Sequence, residues 1–141
     1  MPPQVQPKGH AATAPDYISP DGVEIRLILR PEVEGVQHHS VCEALVHPGQ
    51  VSRPVRHRSV EESWYVLEGE GEVWRCPPGA DPAGVATVRI GPGDALVIPP
   101  GFGFQVRAGD APLRMVCSTA PPWPGPEEAI PVEGGLGPPT E

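Results

Sequence analysis

The chain has 141 residues and a net charge of −8, enough for one domain with a single sizeable core. That charge disfavours nucleic acid and anionic membranes as partners, because a phosphate backbone needs clustered cations. No apolar run approaches a membrane span, and the start MPPQVQPKGH lacks the apolar core of a secretory leader, so a cytoplasmic protein is expected.

Of 22 prolines, twelve lie in residues 1–20 and 120–141. Residues 1–17 read as a flexible lead-in, 18–122 as a β-barrel and 123–141 as a proline-rich tail. After the turn SPDG, Val23, Ile25, Leu27 and Leu29 alternate with Glu24, Arg26 and Arg30, the pattern of a half-buried strand. Further strands are predicted at 40–47, 51–57, 63–67, 72–75, 86–90, 95–98, 103–107 and 113–119, separated by turns such as EGEG, GPGD and PPGFG. Nine short strands at this spacing predict an all-β, antiparallel jelly-roll barrel. The tail is expected to form no ladder, since proline lacks the amide donor, while Trp123 docks on the barrel or on a neighbouring subunit. Cys42, Cys76 and Cys117 show no CxxC spacing and read as free thiols, with Cys76 in the loop RCPPGADP the most exposed.

Two spaced motifs stand out. From Gly49 the chain reads GQVSRPVRHRSVEESWYVLEG, with Gly49, His57, Glu62 and Gly69 in register; from Gly93 it reads GDALVIPPGFGFQVRA, with Gly93, Pro99 and Gly101 in register. Together they resemble the two motifs of small single-domain bacterial cupins over about Val23 to Pro122. The resemblance implies four metal-site positions, and the chain departs from them twice. Val55 stands where the first histidine of the His-x-His pair belongs and Phe104 where the second-motif histidine belongs; Ala108 replaces the motif's asparagine. The resemblance also implies a dimer, and Tyr65, Leu67 and Trp74 are outward apolar residues that either a partner or the terminal segments would cover.

Alternate side chains of a strand share a face, so His57 and Glu62, which the resemblance points into the barrel, set the phase. Val55, Trp64, Val66, Phe104 and Val106 then face inward. So do Ser40, Cys42, Ala44 and Val46 on one strand, and Leu113, Met115 and Cys117 on the last. The expected substrate-binding set is Cys42, Ala44, Val55, Trp64, Phe104, Val106, Met115, Cys117 and Arg53. The cluster Arg53, Arg56 and Arg58 can grip a carboxylate or phosphate, or serve as a solvated or subunit-facing strand edge balanced by Glu61.

His57 and Glu62 are the candidate catalytic pair. Without a metal they are expected to hydrogen-bond, the carboxylate fixing the imidazole tautomer and raising its basicity for acid–base work. The leading expectation is a metal-independent isomerase, epimerase, dehydratase or cyclase acting on a small, largely apolar or polyketide-like molecule. A second is a metal-dependent, dioxygenase-like cupin holding one Fe, Mn, Ni or Zn ion at His57 and Glu62, with His38, His39 or His47 as further donors. A third is a non-catalytic protein that senses or sequesters a small ligand.

Overall fold

Along strand β5, Glu61–Glu68, Trp64 and Val66 are buried while Glu61, Ser63 and Tyr65 are exposed. The pleat that separates these two sets builds the whole molecule. The structure is a computed structural model describing residues 5–140. Its remaining strands are β1 Tyr17–Ile18, β2 Glu24–Leu29, β3 Ser40–Val46, β4 Val55–His57, β6 Gly71–Cys76, β7 Val88–Ile90, β8 Ala95–Ile98, β9 Gly103–Ala108, β10 Leu113–Ala120 and β11 Ala129–Pro131. One sheet runs β1-β2-β3-β10-β5-β8 and the other β11-β4-β9-β6-β7, all pairs antiparallel. The expected jelly-roll is the observed architecture.

Register fixes which residues meet inside. Strand β10 sets Cys117 opposite Cys42 of β3 and opposite Trp64 of β5. Val46, Val66, Val73 and Leu113 fill one end of the barrel and are at most 2% exposed. Towards the other end the inward residues become smaller or polar, and a cavity opens. Gly69 turns β5 into β6 with φ +83, and a Cβ there would lie 2.2 Å from the Pro112 carbonyl. The left-handed backbone and the close approach both require glycine, which accounts for that position of the first motif.

Several expectations need correction. Strand β4 is only three residues long, and Val51 contributes an isolated bridge to Arg107 instead of opening a long strand. Cys76, expected exposed, is 6% exposed: it closes β6 and packs with Trp74 and Leu136. The tail was expected to form no ladder, yet β11 adds an edge strand beside β4 through Ala129↔His57, Ile130↔Arg56 and Pro131↔Val55. An edge position at a strand end tolerates the missing amide of Pro131. Beyond it, Leu136 donates its amide to the buried Gln105 side chain and Thr140 exchanges hydrogen bonds with Val51. Leu136 covers Trp74, whose indole N–H reaches the Pro82 carbonyl. At the other terminus, Arg26 holds the Ala12 and Thr13 carbonyls, and the Asp16 carboxylate accepts from the Leu27 amide. The outer parts of the expected lead-in and tail, residues 1–4 and 141, lie outside the described residues.

The segment between β10 and β11 is a strap across the cavity mouth. It is held by Glu128, 5% exposed, whose Oε1 accepts from the Ser59 amide (2.5 Å), the Ser59 hydroxyl (2.9 Å) and the Val60 amide (2.8 Å). Burial pushes this carboxyl up, but the hydrogen bonds outweigh it and hold the pKa below its ordinary value. Arg58 adds bonds from its amide to the Glu128 carbonyl and from Nε to the Glu127 carbonyl. Glu128→Ala leaves the Ser59 and Val60 amides without their acceptor, at a cost of about 2–4 kcal/mol. The expected result is a lower urea midpoint and early proteolytic cleavage within residues 121–131; wild-type resistance at that segment would refute the clamp.

Candidate functional site

The mouth of the cavity lies between the two sheets. His57 ends β4 in one sheet and Glu62 is the second residue of β5 in the other, so the two side chains meet across the barrel without sharing a ladder. The cavity encloses about 70 Å³ and its wall is mostly apolar. Val55, His57, Glu62, Trp64, Phe104, Val106 and Met115 line it, as do Cys42, Ala44 and Cys117, all as the alternation predicts.

Arg53 is the exception among the expected binding residues. It is exposed and outside the cavity, with its Nη1 3.3 Å from the Pro20 carbonyl. The residue sits before β4 begins, where strand phase no longer governs its direction. Neighbouring Arg58 is spent on the strap and Arg56 lies on the opposite side of β4 from the cavity, so the arginine cluster does not face the cavity.

The expected hydrogen bond between His57 and Glu62 is also absent. His57 Nδ1 and Glu62 Oε2 stand 3.9 Å apart, too far for one. Glu62 Oε1 instead accepts from the indole N–H of Trp64 two residues along the same strand, which turns the carboxylate towards its own sheet. His57 is 4% exposed, and its Nδ1 has no hydrogen-bond partner among the described residues. Its ring lies edge-to-face with Phe104 at 5.0 Å and Trp123 at 5.1 Å.

This setting reverses the expected electrostatics. Burial pushes Glu62 up to about 7; the Trp64 hydrogen bond offsets part of that and the Asp21 charge adds to it. Burial pulls His57 down to about 4, only partly opposed by the charge of Glu128. Near pH 5.5 both groups are therefore uncharged, and their 3.9 Å contact is not an ion pair. Burial, not Glu62, governs the basicity of the imidazole.

Sequence reasoning missed part of the wall. Tyr17, Asp21, Ile25, Leu27, Thr119 and Trp123 also line the cavity. Ile25 and Leu27 share the inward phase of β2 and were legible from it. Tyr17 and Asp21 lie in segments read as lead-in and turn, where no periodicity operates. Burial raises the pKa of Asp21 against its hydrogen bond from Ser19, and burial also raises that of Tyr17. Cys117 is raised first by its contact with Cys42 and then by burial.

Residues 42–119, more than half of the chain, match the family model described as a cupin domain. The chain belongs to the cupin family. An uncharacterized protein of Methanocaldococcus jannaschii is 30% identical over 108 residues, spanning 76% of this cupin and 80% of that protein. The polyketide cyclase RemF from Streptomyces resistomycificus matches over 94% of this chain and 86% of its own at 21% identity and a TM-score of 0.65. Oxalate decarboxylase from Bacillus subtilis gives a TM-score of 0.75 at 13% identity over 92% of this chain, which spans only 33% of that enzyme. These structural likenesses speak for the fold.

Cupin barrels of the metal-binding kind need three or four donors around one ion. Here two of the positions carry Val55 and Phe104, buried at 4% and 2% and without a lone pair to offer. Among the described residues no three His, Cys, Asp or Glu side chains converge as a metal group. His38, His39 and His47 do not line the cavity, and His47 instead contacts Glu24 at 2.5 Å. Zinc and non-haem iron sites usually keep three protein ligands, so the donor set does not fit such an ion.

The opposed pKa shifts predict opposed stability effects. Folded Glu62 holds its proton more tightly than the unfolded chain, so its contribution to stability is lost as pH rises from 4.5 to about 7. Folded His57 holds its proton less tightly, so its contribution is lost as pH falls from 6.5 to about 4. Each is worth about 3 kcal/mol at 1.4 kcal/mol per pH unit, and the two slopes nearly cancel in the wild type. Relative to wild type, Glu62→Gln gains stability as pH rises through the first window, and His57→Gln gains as pH falls through the second. Melting temperatures between pH 4 and 8 test this, with differences on the order of 10 °C expected and parallel curves contradicting it.

Proposed function

We propose that this cupin is a metal-independent acid–base enzyme acting on a small, largely apolar molecule that carries one carbonyl or hydroxyl oxygen. The observation that carries the reading is the unpartnered Nδ1 of buried His57, facing Glu62 Oε2 across 3.9 Å. A buried polar atom without a partner costs stability; a substrate oxygen beside the gap would take the hydrogen bond at Nδ1 while the carbon next to it approaches Glu62 Oε2.

The two residues exchange the roles first expected of them. Glu62, with a pKa of about 7, is present in both protonation states near neutrality and serves as the acid–base group. Trp64 Nε1–H keeps one carboxylate oxygen in place and leaves the other directed at the gap. His57 is neutral at that pH and positions the substrate oxygen through one hydrogen bond at Nδ1, donating to a carbonyl or, in the other tautomer, accepting from a hydroxyl. Ionised Glu62 removes a proton from the carbon next to a carbonyl, and the resulting acid returns it at a different atom. Isomerisation, dehydration and cyclisation share this step.

Deuterium exchange at the α-carbon of 2-tetralone, followed by proton NMR in D2O, measures that step directly. The expected outcome is exchange above the buffer rate that rises through about pH 7, survives dialysis against EDTA, and drops about 100-fold or more in Glu62→Gln. Exchange that vanishes with EDTA, or that Glu62→Gln leaves unaltered, is incompatible with the proposal.

A further inference from the structure

The inner cavity has a neighbour on the outer side of its mouth. A second chamber of about 550 Å³ lies outside it, and five residues line both spaces: Tyr17, Pro20, Leu27, Ser40 and Trp123. The inner space is about 70 Å³, enough for a few waters or the tip of a ligand, whereas drug-sized ligands occupy pockets of about 300–1,000 Å³. The outer chamber alone falls in that range. We infer that the two chambers form one binding site for an elongated, uncharged molecule: its polar tip enters the inner cavity and its apolar body lies in the outer chamber.

The walls support each part of this assignment. Trp123 and Tyr17 bring aromatic rings to the junction, and flat apolar bodies pack well on such rings. The strap that carries Trp123 is fixed, since the Trp123 amide donates to Ser40 Oγ at 3.0 Å and Ser40 in turn contacts Thr119 Oγ1 at 2.6 Å. Ile18, 57% exposed, extends the apolar wall outward on β1. Among the described residues the rim offers no free cation. Arg30 is engaged by both carboxylate oxygens of Glu34, at 3.1 and 3.0 Å, and Glu32 stands beside it. An anionic tail would meet Glu32 without a guanidinium to receive it.

This inference rests on the inner site as read above, and the test separates the two. Calorimetry at pH 7 compares phenol, 4-phenylphenol and 4′-hydroxybiphenyl-4-carboxylate, which share a tip and differ in the body. The expected order is 4-phenylphenol at least tenfold tighter than phenol, with the carboxylate losing most of that gain. Ile18→Asp, an exposed position outside the inner cavity, is expected to abolish the gain while leaving phenol affinity and melting temperature unchanged. Equal affinities for phenol and 4-phenylphenol, a gain that Ile18→Asp leaves intact, or no binding by any of the three overturns the two-chamber site. In Glu62→Gln both phenols are expected to weaken by the same factor. If they do not weaken while the tenfold ratio persists, the outer chamber stands and the reading of the inner site fails.

Discussion

One buried carboxylate organises the working end of this barrel. Glu128 accepts three hydrogen bonds from Ser59 and Val60 at the β4–β5 turn, and so ties the C-terminal strap to the strands that carry His57 and Glu62. With the strap in place, Trp123 lies against the His57 ring and closes one side of the cavity. That contact contributes to the burial that pulls His57 down. A buried clamp at the turn thus helps hold the surroundings of an imidazole inside the barrel.

The resulting pair differs from the carboxylate–imidazole dyads of hydrolases. There the carboxylate is charged and hydrogen-bonded to the ring, and the imidazole is the proton carrier. Here Trp64 holds the carboxylate on its own strand, Phe104 and Trp123 flank the imidazole, and the polar atoms that face each other are left for a third group. Val55 and Phe104 contribute to this by being apolar. Where histidines would have supplied donors, they supply low dielectric, and low dielectric moves both pKa values away from charge.

The barrel and most of the cavity wall were legible because two rules act over long stretches. Motif spacing located Gly49, His57, Glu62, Gly69, Gly93 and Gly101, and period-two alternation then assigned Cys42, Ala44, Trp64, Val106, Met115 and Cys117 to the interior. Both rules stop where regular strand stops. Arg53 precedes β4, Tyr17 belongs to a two-residue strand with Asp21 beyond it, and Trp123 lies in a proline-rich strap, so no sustained alternation runs through any of them. The 3.9 Å separation was hidden for another reason. Spacing places two residues near each other but does not say which competing donor, here the indole of Trp64, will take the carboxylate.

His57 and Glu62 belong to different sheets, and no backbone ladder joins β4 to β5. Their separation therefore depends on how one sheet lies over the other, across the packed layer of Val46, Val66, Val73 and Leu113, as well as on the short clamped turn that joins β4 to β5. That layer works as a spacer. Its thickness, a matter of methylene groups outside the cavity lining, bears on the gap between a carboxyl and an imidazole at the opposite end of the molecule, so that gap can be altered through residues that touch neither.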